Sequence, residues 1–133
     1  MTLRVELVVP DGEVWSGRAR MVIAKTLDGD LGVLAGHPPV LGILAEGSLV
    51  RILDPEGDSE TAKEIVAAVS SGFLSVTGDR VSVLAREAQL GSRVDRPRAE
   101  AVLAEAEQTP PGEQEPTEVR YSRALLRAAG ERS

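Results

Sequence analysis

The 133-residue chain contains no cysteine. That removes disulfides, thiolate metal sites and cysteine nucleophiles together, and it suits a reducing compartment. Aromatic residues are almost as scarce: Trp15, Phe73 and Tyr121 are the only three, so a core must be built from Val, Leu, Ile and Ala. Basic charge is in deficit, with 15 Lys and Arg against 21 Asp and Glu and a net charge of −6. A general nucleic-acid binder, whose affinity rests on basic surface, is thereby excluded. No apolar run approaches the roughly 18 residues of a membrane span, and Arg4 and Glu6 interrupt the first apolar stretch, unlike a secretory signal. The chain reads as soluble, with any membrane association coming through a partner. The phosphate-cradling patterns Gly-x-Gly-x-x-Gly and Gly-x-x-x-x-Gly-Lys-Ser/Thr are missing too, as is the Gly-x-Ser-x-Gly serine elbow.

What the sequence does have is a change of hydrophobic period after Ala85. Before it, Leu3, Val5, Leu7 and Val9 alternate with Thr2, Arg4, Glu6 and Val8 until Pro10-Asp11-Gly12 ends the segment, the period-two pattern of a half-buried strand. Ala19, Met21 and Ile23 repeat it, and further strands are predicted around Leu31–Leu34, Val40–Leu44, Leu49–Leu53, Glu64–Val69, Phe73–Val76 and Val81–Leu84. Turns are supplied by Asp28-Gly29-Asp30, Glu46-Gly47, Asp54-Pro55-Glu56-Gly57-Asp58, Ser71-Gly72 and Thr77-Gly78-Asp79-Arg80. Many short strands at close spacing predict an all-β sandwich or flattened barrel over residues 1–85, with Trp15 and Phe73 in its core.

Residues 86–133 are predicted to form a C-terminal α-helical hairpin. Ala99, Val102, Leu103 and Ala106 follow the spacing of one helix face, with Asp95 as N-cap and Pro97 tolerable in the first turn. Thr109–Pro116 contains three prolines and reads as a linker. Tyr121, Ala124, Leu125, Ala128 and Ala129 give a second apolar face, started by Thr117 and stopped by Gly130. Asp95–Gln108 carries four acids against two arginines, and Thr117–Arg132 four arginines against two glutamates. Opposite charge favours antiparallel pairing, although exposed pairs contribute little each. Both helices are near the length at which an isolated helix is marginal in water, so they need each other or a partner.

The densest cluster of special residues is Gly29–Leu41, with three glycines, two prolines and the chain's only histidine in thirteen positions. The Pro38-Pro39 pair forbids a helix there. This run closely resembles the acidic-Leu-Gly-hydrophobic-Leu-Pro-Gly-His-x-Pro-Leu signature of the epsilon subunits of F-type, proton-translocating ATP synthases, with Ala35 in place of that signature's proline. The resemblance continues in Met1–Val9 followed by Asp11-Gly12 and Val14-Trp15-Ser16-Gly17, in Ser71-Gly72-Phe73-Leu74-Ser75-Val76, and in Val81–Ala85. Val94-Asp95-Arg96-Pro97-Arg98-Ala99 is similar to the family's Ile/Leu-Asp-x-x-Arg-Ala motif. The order and spacing of these short motifs carry the resemblance more than any one of them.

The resemblance implies a non-catalytic central-stalk subunit, peripheral on the cytoplasmic face of the cell membrane. Its β-domain would join the γ subunit to the c-ring, and its helices would approach the α/β catalytic hexamer and restrain ATP hydrolysis. It further implies Asp30, His37 and Pro38 as contacts to the c-ring and γ, and Arg120, Arg123 and Arg127 as contacts to an acidic surface of the β subunit. Plainer readings stand beside these: Asp30 satisfies backbone groups in its turn, His37 is structural, and the arginines line a solvated face. His37 has no cysteine or second histidine with which to bind a metal, and no nucleophile and orienting acid to make it a catalytic base. Asp95 and Arg98 match a motif that binds ATP in some bacterial epsilon subunits. Here, however, Gln89 replaces an upstream glutamate, and Glu100, Glu105 and Glu107 stand where ATP-binding relatives carry basic residues. These acids would repel a triphosphate, so the capping reading is preferred and no cofactor is expected. The alternative from another class is a stand-alone β-sandwich module for a peptide or carbohydrate, with a helical tail.

Overall fold

The computed structural model describes residues 1–56, 63–107 and 116–130. Strands form where apolar and polar side chains alternate, because a strand turns successive side chains to opposite faces. They are β1 (Leu3–Val9), β2 (Gly12–Ala19), β3 (Met21–Thr26), β4 (Gly29–Leu34), β5 (Val40–Ile43), β6 (Ser48–Leu53), β7 (Glu64–Val69), β8 (Gly72–Thr77), β9 (Arg80–Ala85) and β10 (Ala88–Leu90). Two five-stranded sheets result, ordered β2-β1-β9-β8-β5 and β10-β7-β6-β3-β4. Paired neighbours among the described strands run antiparallel, except β1 and β9, which are parallel. The sheets stack as the predicted sandwich. Leu3, Val5, Leu7, Leu74, Val76, Val81 and Val83 of the first meet Val22, Ala24, Val33, Val50, Ile52, Ala67 and Val69 of the second, all fully buried. Trp15 packs against the edge of this aliphatic core.

The structure departs from the sequence expectation at three places in the sandwich. Gly12–Ala19 forms a full strand, and the chain crosses at Arg20 from the first sheet to the second. The inward residues of β3 are therefore Val22 and Ala24, while Met21 and Ile23 are only half-buried. Phe73 lies on the outer face of β8, 43% exposed, and Leu74 beside it fills the core. Adjacent strand residues cannot both point inward. The sheet also continues past Ala85, since β10 pairs with Ala67–Val69 of β7 and leads into a 3-10 turn at Gly91–Arg93.

Two helices follow, α1 (Arg96–Glu107) and α2 (Thr117–Gly130). Apart from Pro116, the proline-rich linker lies outside the described residues, as do Gly57 and Asp58 of the Asp54–Asp58 turn. The helices pair as predicted, but α2 also docks on the outer face of the second sheet. Tyr121, Ala124, Leu125 and Ala128 pack with Leu49 of β6 and with Val66 and Ala68 of β7, and Ala99 of α1 joins them. The strand sequence explains this docking: Val66-Ala67-Ala68-Val69 is buried without a break, the mark of a strand covered on both faces.

Candidate functional site

Three surfaces stand out, and two of them hold the residues that the sequence singled out for function. The first is the loop after β4. His37 N–H donates to the Leu34 carbonyl at 3.1 Å, closing a turn in which Gly36 has φ +88°. Type II turns need a positive φ at the third position and accept proline at the second. Ala35 occupies that second position, so its departure from the family signature leaves the turn geometry intact. The Gly36 amide donates to Asp79 Oδ1 at 2.6 Å, tying the loop to the β8–β9 turn. His37 Nδ1 lies 2.6 Å from the Pro38 carbonyl oxygen. A carbonyl can only accept, so Nδ1 carries the proton in this contact. Asp30 is exposed at the far end of β4, opposite Lys25 of β3. Four residue steps along the strand separate Asp30 from Leu34 by about 13 Å, so the structure does not bring Asp30 and His37 together.

The second surface was missed by the sequence reading. On the outer face of the first sheet, Leu41 (70% exposed), Ile43 (61%), Phe73 and Leu84 form an apolar strip. Ile43 sits directly across from Phe73, and Phe73 directly across from Leu84. Leu27 extends the strip, with its amide hydrogen-bonded to the Ile43 carbonyl at 2.9 Å. The available signal was β5, whose larger residues alternate with Gly42, but alternation alone does not say which side faces in.

The third surface surrounds the hairpin. Arg98 N–H donates to Asp95 Oδ1 at 3.1 Å, so Asp95 caps α1. A cavity of about 340 Å³ beside it is lined by Glu87, Asp95, Arg98, Glu118 and Tyr121 among others. Three carboxylates thus face one guanidinium, a poor field for a polyphosphate. Burial, reinforced by the Glu87 carboxylate, pushes the Tyr121 phenol up to about 12. At the N-terminus of α2, Thr117 Oγ1 donates to Glu46 Oε2 at 2.9 Å, and the Arg120 guanidinium lies 3.5 Å from the same oxygen. Arg123 and Arg127 are exposed, and Arg127 borders a groove that also contains Asp30, Lys25 and Arg51.

Among the described residues no group of His, Asp and Glu could hold a metal ion, and no helix is long and apolar enough to cross a membrane. The chain is thus a β-sandwich with a helical hairpin folded onto one outer face and, among the described residues, an apolar strip left bare on the other. Residues 2–91 match the family described as the ATP synthase delta/epsilon chain β-sandwich domain. The chain is 49% identical to an ATP synthase epsilon chain of Thermobifida fusca (strain YX), over 96% of its own length and 91% of that relative. It is 52% identical over 90 residues to one of Frankia casuarinae, a match that spans 99% of that relative, whose length is therefore close to that of the sandwich alone. A solved chain of the Euglena gracilis mitochondrial ATP synthase, in its OSCP/F1/c-ring assembly, shares the fold with a TM-score of 0.69 at 23% identity, covering 98% of this chain and 82% of that one. The chain belongs to the ATP synthase epsilon-chain family, a structural and non-catalytic subunit. Membership sets aside the alternative of a free-standing peptide- or carbohydrate-binding module.

Proposed function

We propose that this chain joins the γ subunit to the c-ring in the central stalk of an ATP synthase, transmitting rotation, and that its hairpin restrains ATP hydrolysis. The observation that carries the first part is the strip of Leu41, Ile43, Phe73 and Leu84, four large apolar side chains left in solvent on one sheet face. Such a patch marks a protein contact, and γ is the partner whose permanent attachment the family implies. Asp30, His37 and Pro38, at the two ends of β4, are polar and stiff points on the same domain that suit contacts to the c-ring and γ. The exposed Arg123 and Arg127, with Arg120, suit an acidic surface of the β subunit in the α/β hexamer. With only peripheral contacts, the chain would sit at the cytoplasmic face of the cell membrane through its partners. The carboxylates around Arg98 favour a subunit that does not use ATP as a tight ligand.

Replacing Ile43 and Phe73 together by serine tests the attachment. Both side chains are exposed, so the isolated chain should fold as before. The doubly substituted chain should no longer co-purify with γ and the α/β hexamer. Wild-type recovery would overturn the assignment of the strip.

A further inference from the structure

Arg18 of β2, Arg4 of β1 and Arg80 of β9 lie directly across from one another on three adjacent strands. All three are exposed while their strand neighbours Ala19, Val5 and Val81 are buried, so they stand on the outer face of the first sheet. Like charges placed directly opposite in a sheet are destabilising. The chain has 21 acidic residues, yet the acids close by in sequence are engaged elsewhere. Glu6 accepts from the Ser82 hydroxyl at 2.8 Å, Glu13 from the Ser16 hydroxyl at 2.7 Å, and Asp79 from the Gly36 amide. Among the described residues none of the three arginines forms an ion pair.

This basic row shares its face with the apolar strip. Arg80 and Leu84 both lie on β9, which sets row and strip about 13 Å apart. At about 4.8 Å per strand, the whole five-stranded face is only about 20 Å wide. A partner of ordinary interface size covers about 800 Å² on each side, a footprint roughly 30 Å across. One that seats on the strip therefore covers the row as well. Guanidinium groups covered without a counter-charge would oppose that binding.

We propose that Arg4, Arg18 and Arg80 are the charged half of the same interface, and that the partner on the strip presents carboxylates to them about 13 Å from the apolar side chains it buries. Guanidinium forks take carboxylates two hydrogen bonds at a time. The row thus fixes how the partner lies along the strands, which an apolar strip alone does not. Repulsion within the bare row weakens the free chain and is relieved in the complex. The inference rests on the proposed attachment of γ through Leu41, Ile43, Phe73 and Leu84.

The test uses the full chain and purified γ subunit, with affinity measured from about 50 mM to about 400 mM salt. Arg4→Gln combined with Arg80→Gln removes two charges and keeps polar, extended side chains. This variant should bind γ about tenfold more weakly at the low end, with a clearly flatter salt dependence. Alone, it should resist urea at least as well as the unsubstituted chain, because the repulsion is gone. A lower urea midpoint together with weaker binding would make the arginines structural and overturn the proposal. Unchanged affinity and salt dependence, while Ile43→Ser with Phe73→Ser abolishes binding, would overturn the row and leave the strip standing. Weaker binding by the arginine variant alone, with wild-type binding by the serine variant, would overturn the strip and the shared interface with it. Sedimentation with phosphatidylglycerol vesicles covers the other anion that suits arginine. Vesicle binding that the arginine variant loses, with its affinity for γ unchanged, would assign the row to lipid phosphate and overturn the proposal.

Discussion

The outer faces of the two sheets meet the same problem in different ways. Both carry apolar side chains that a sandwich core cannot use. On the second sheet these are Leu49, Val66 and Ala68, and the chain covers them with Tyr121, Ala124, Leu125 and Ala128 of α2. On the first they are Leu41, Ile43, Phe73 and Leu84, and among the described residues nothing covers them. The residues also differ in size. Alanines at 68, 124 and 128 let the helix come close but remove little apolar area, while the bare strip offers four large side chains. At about 25 cal/mol per Å² of apolar surface removed from water, covering the strip would be favourable, as burying Leu49, Val66, Tyr121 and Leu125 is beneath α2. One face is closed by the chain itself, and the other is left in solvent.

The sharpest way to break this contrast is a pair of substitutions at neighbouring positions. Leu74→Ala should cost the isolated chain about 3 kcal/mol in urea unfolding, the usual loss for a cavity in a packed core. Phe73→Ala, on the bare face, should change stability by less than about 0.5 kcal/mol. Equal losses would mean that Phe73 is packed in solution and the strip is not bare.

A smaller effect should follow from removing the covered face's lid. A chain ending after Arg93 keeps β10 and its pairing with Ala67–Val69. It should unfold cooperatively with a loss of about 1–2 kcal/mol, from exposure of Leu49 and Val66. A chain ending after Ala85 also strips β10 from the sheet and should lose distinctly more. The Frankia casuarinae relative, close to sandwich length, shows that a family member of that size exists. Denaturant midpoints of the two truncations decide the order, and failure of the longer one to fold would make the sandwich dependent on α2.

The mildest perturbation is pH. The docked Tyr121 phenol stands at about 12, above the ordinary 10.0, so docking favours its neutral form. That contribution is complete below the unfolded value and is lost as pH rises from about 10 towards 12. Tyr121→Phe should remove this alkaline dependence of α2 amide-exchange protection while leaving protection near neutrality little changed. A dependence that survives the substitution would assign it to other groups.

Sequence periodicity was enough for the sandwich, both helices and the Asp95 cap, because each is written in local alternation, helical spacing or capping chemistry. It failed where two apolar residues adjoin. Phe73 and Leu74 compete for one inward position, and which one wins depends on the register with β5 and β9, which no local pattern contains. Docking of α2 was hidden for a related reason. The unbroken burial of Val66–Val69 requires a cover on the outer side, but a short apolar run in sequence does not name what covers it. The glycines told least of all: Gly91 looks like any loop glycine until the Ala128 carbonyl is seen where a Cβ would go.

The parallel pairing of β1 with β9 has a consequence for biosynthesis. β1 is made first, yet it lies inside its sheet, with β2 on one side and β9 on the other. Its second neighbour cannot arrive until the ribosome has released residues up to Ala85. Until then Arg4 through Val8 present an unpaired backbone edge, the kind of template that recruits stray strands. Such distant pairing also slows folding, since the loop must close before any of its contacts form. The first sheet is therefore completed only when β9 arrives, late in the synthesis of the sandwich, and the edge of β1 is open to misassembly until then.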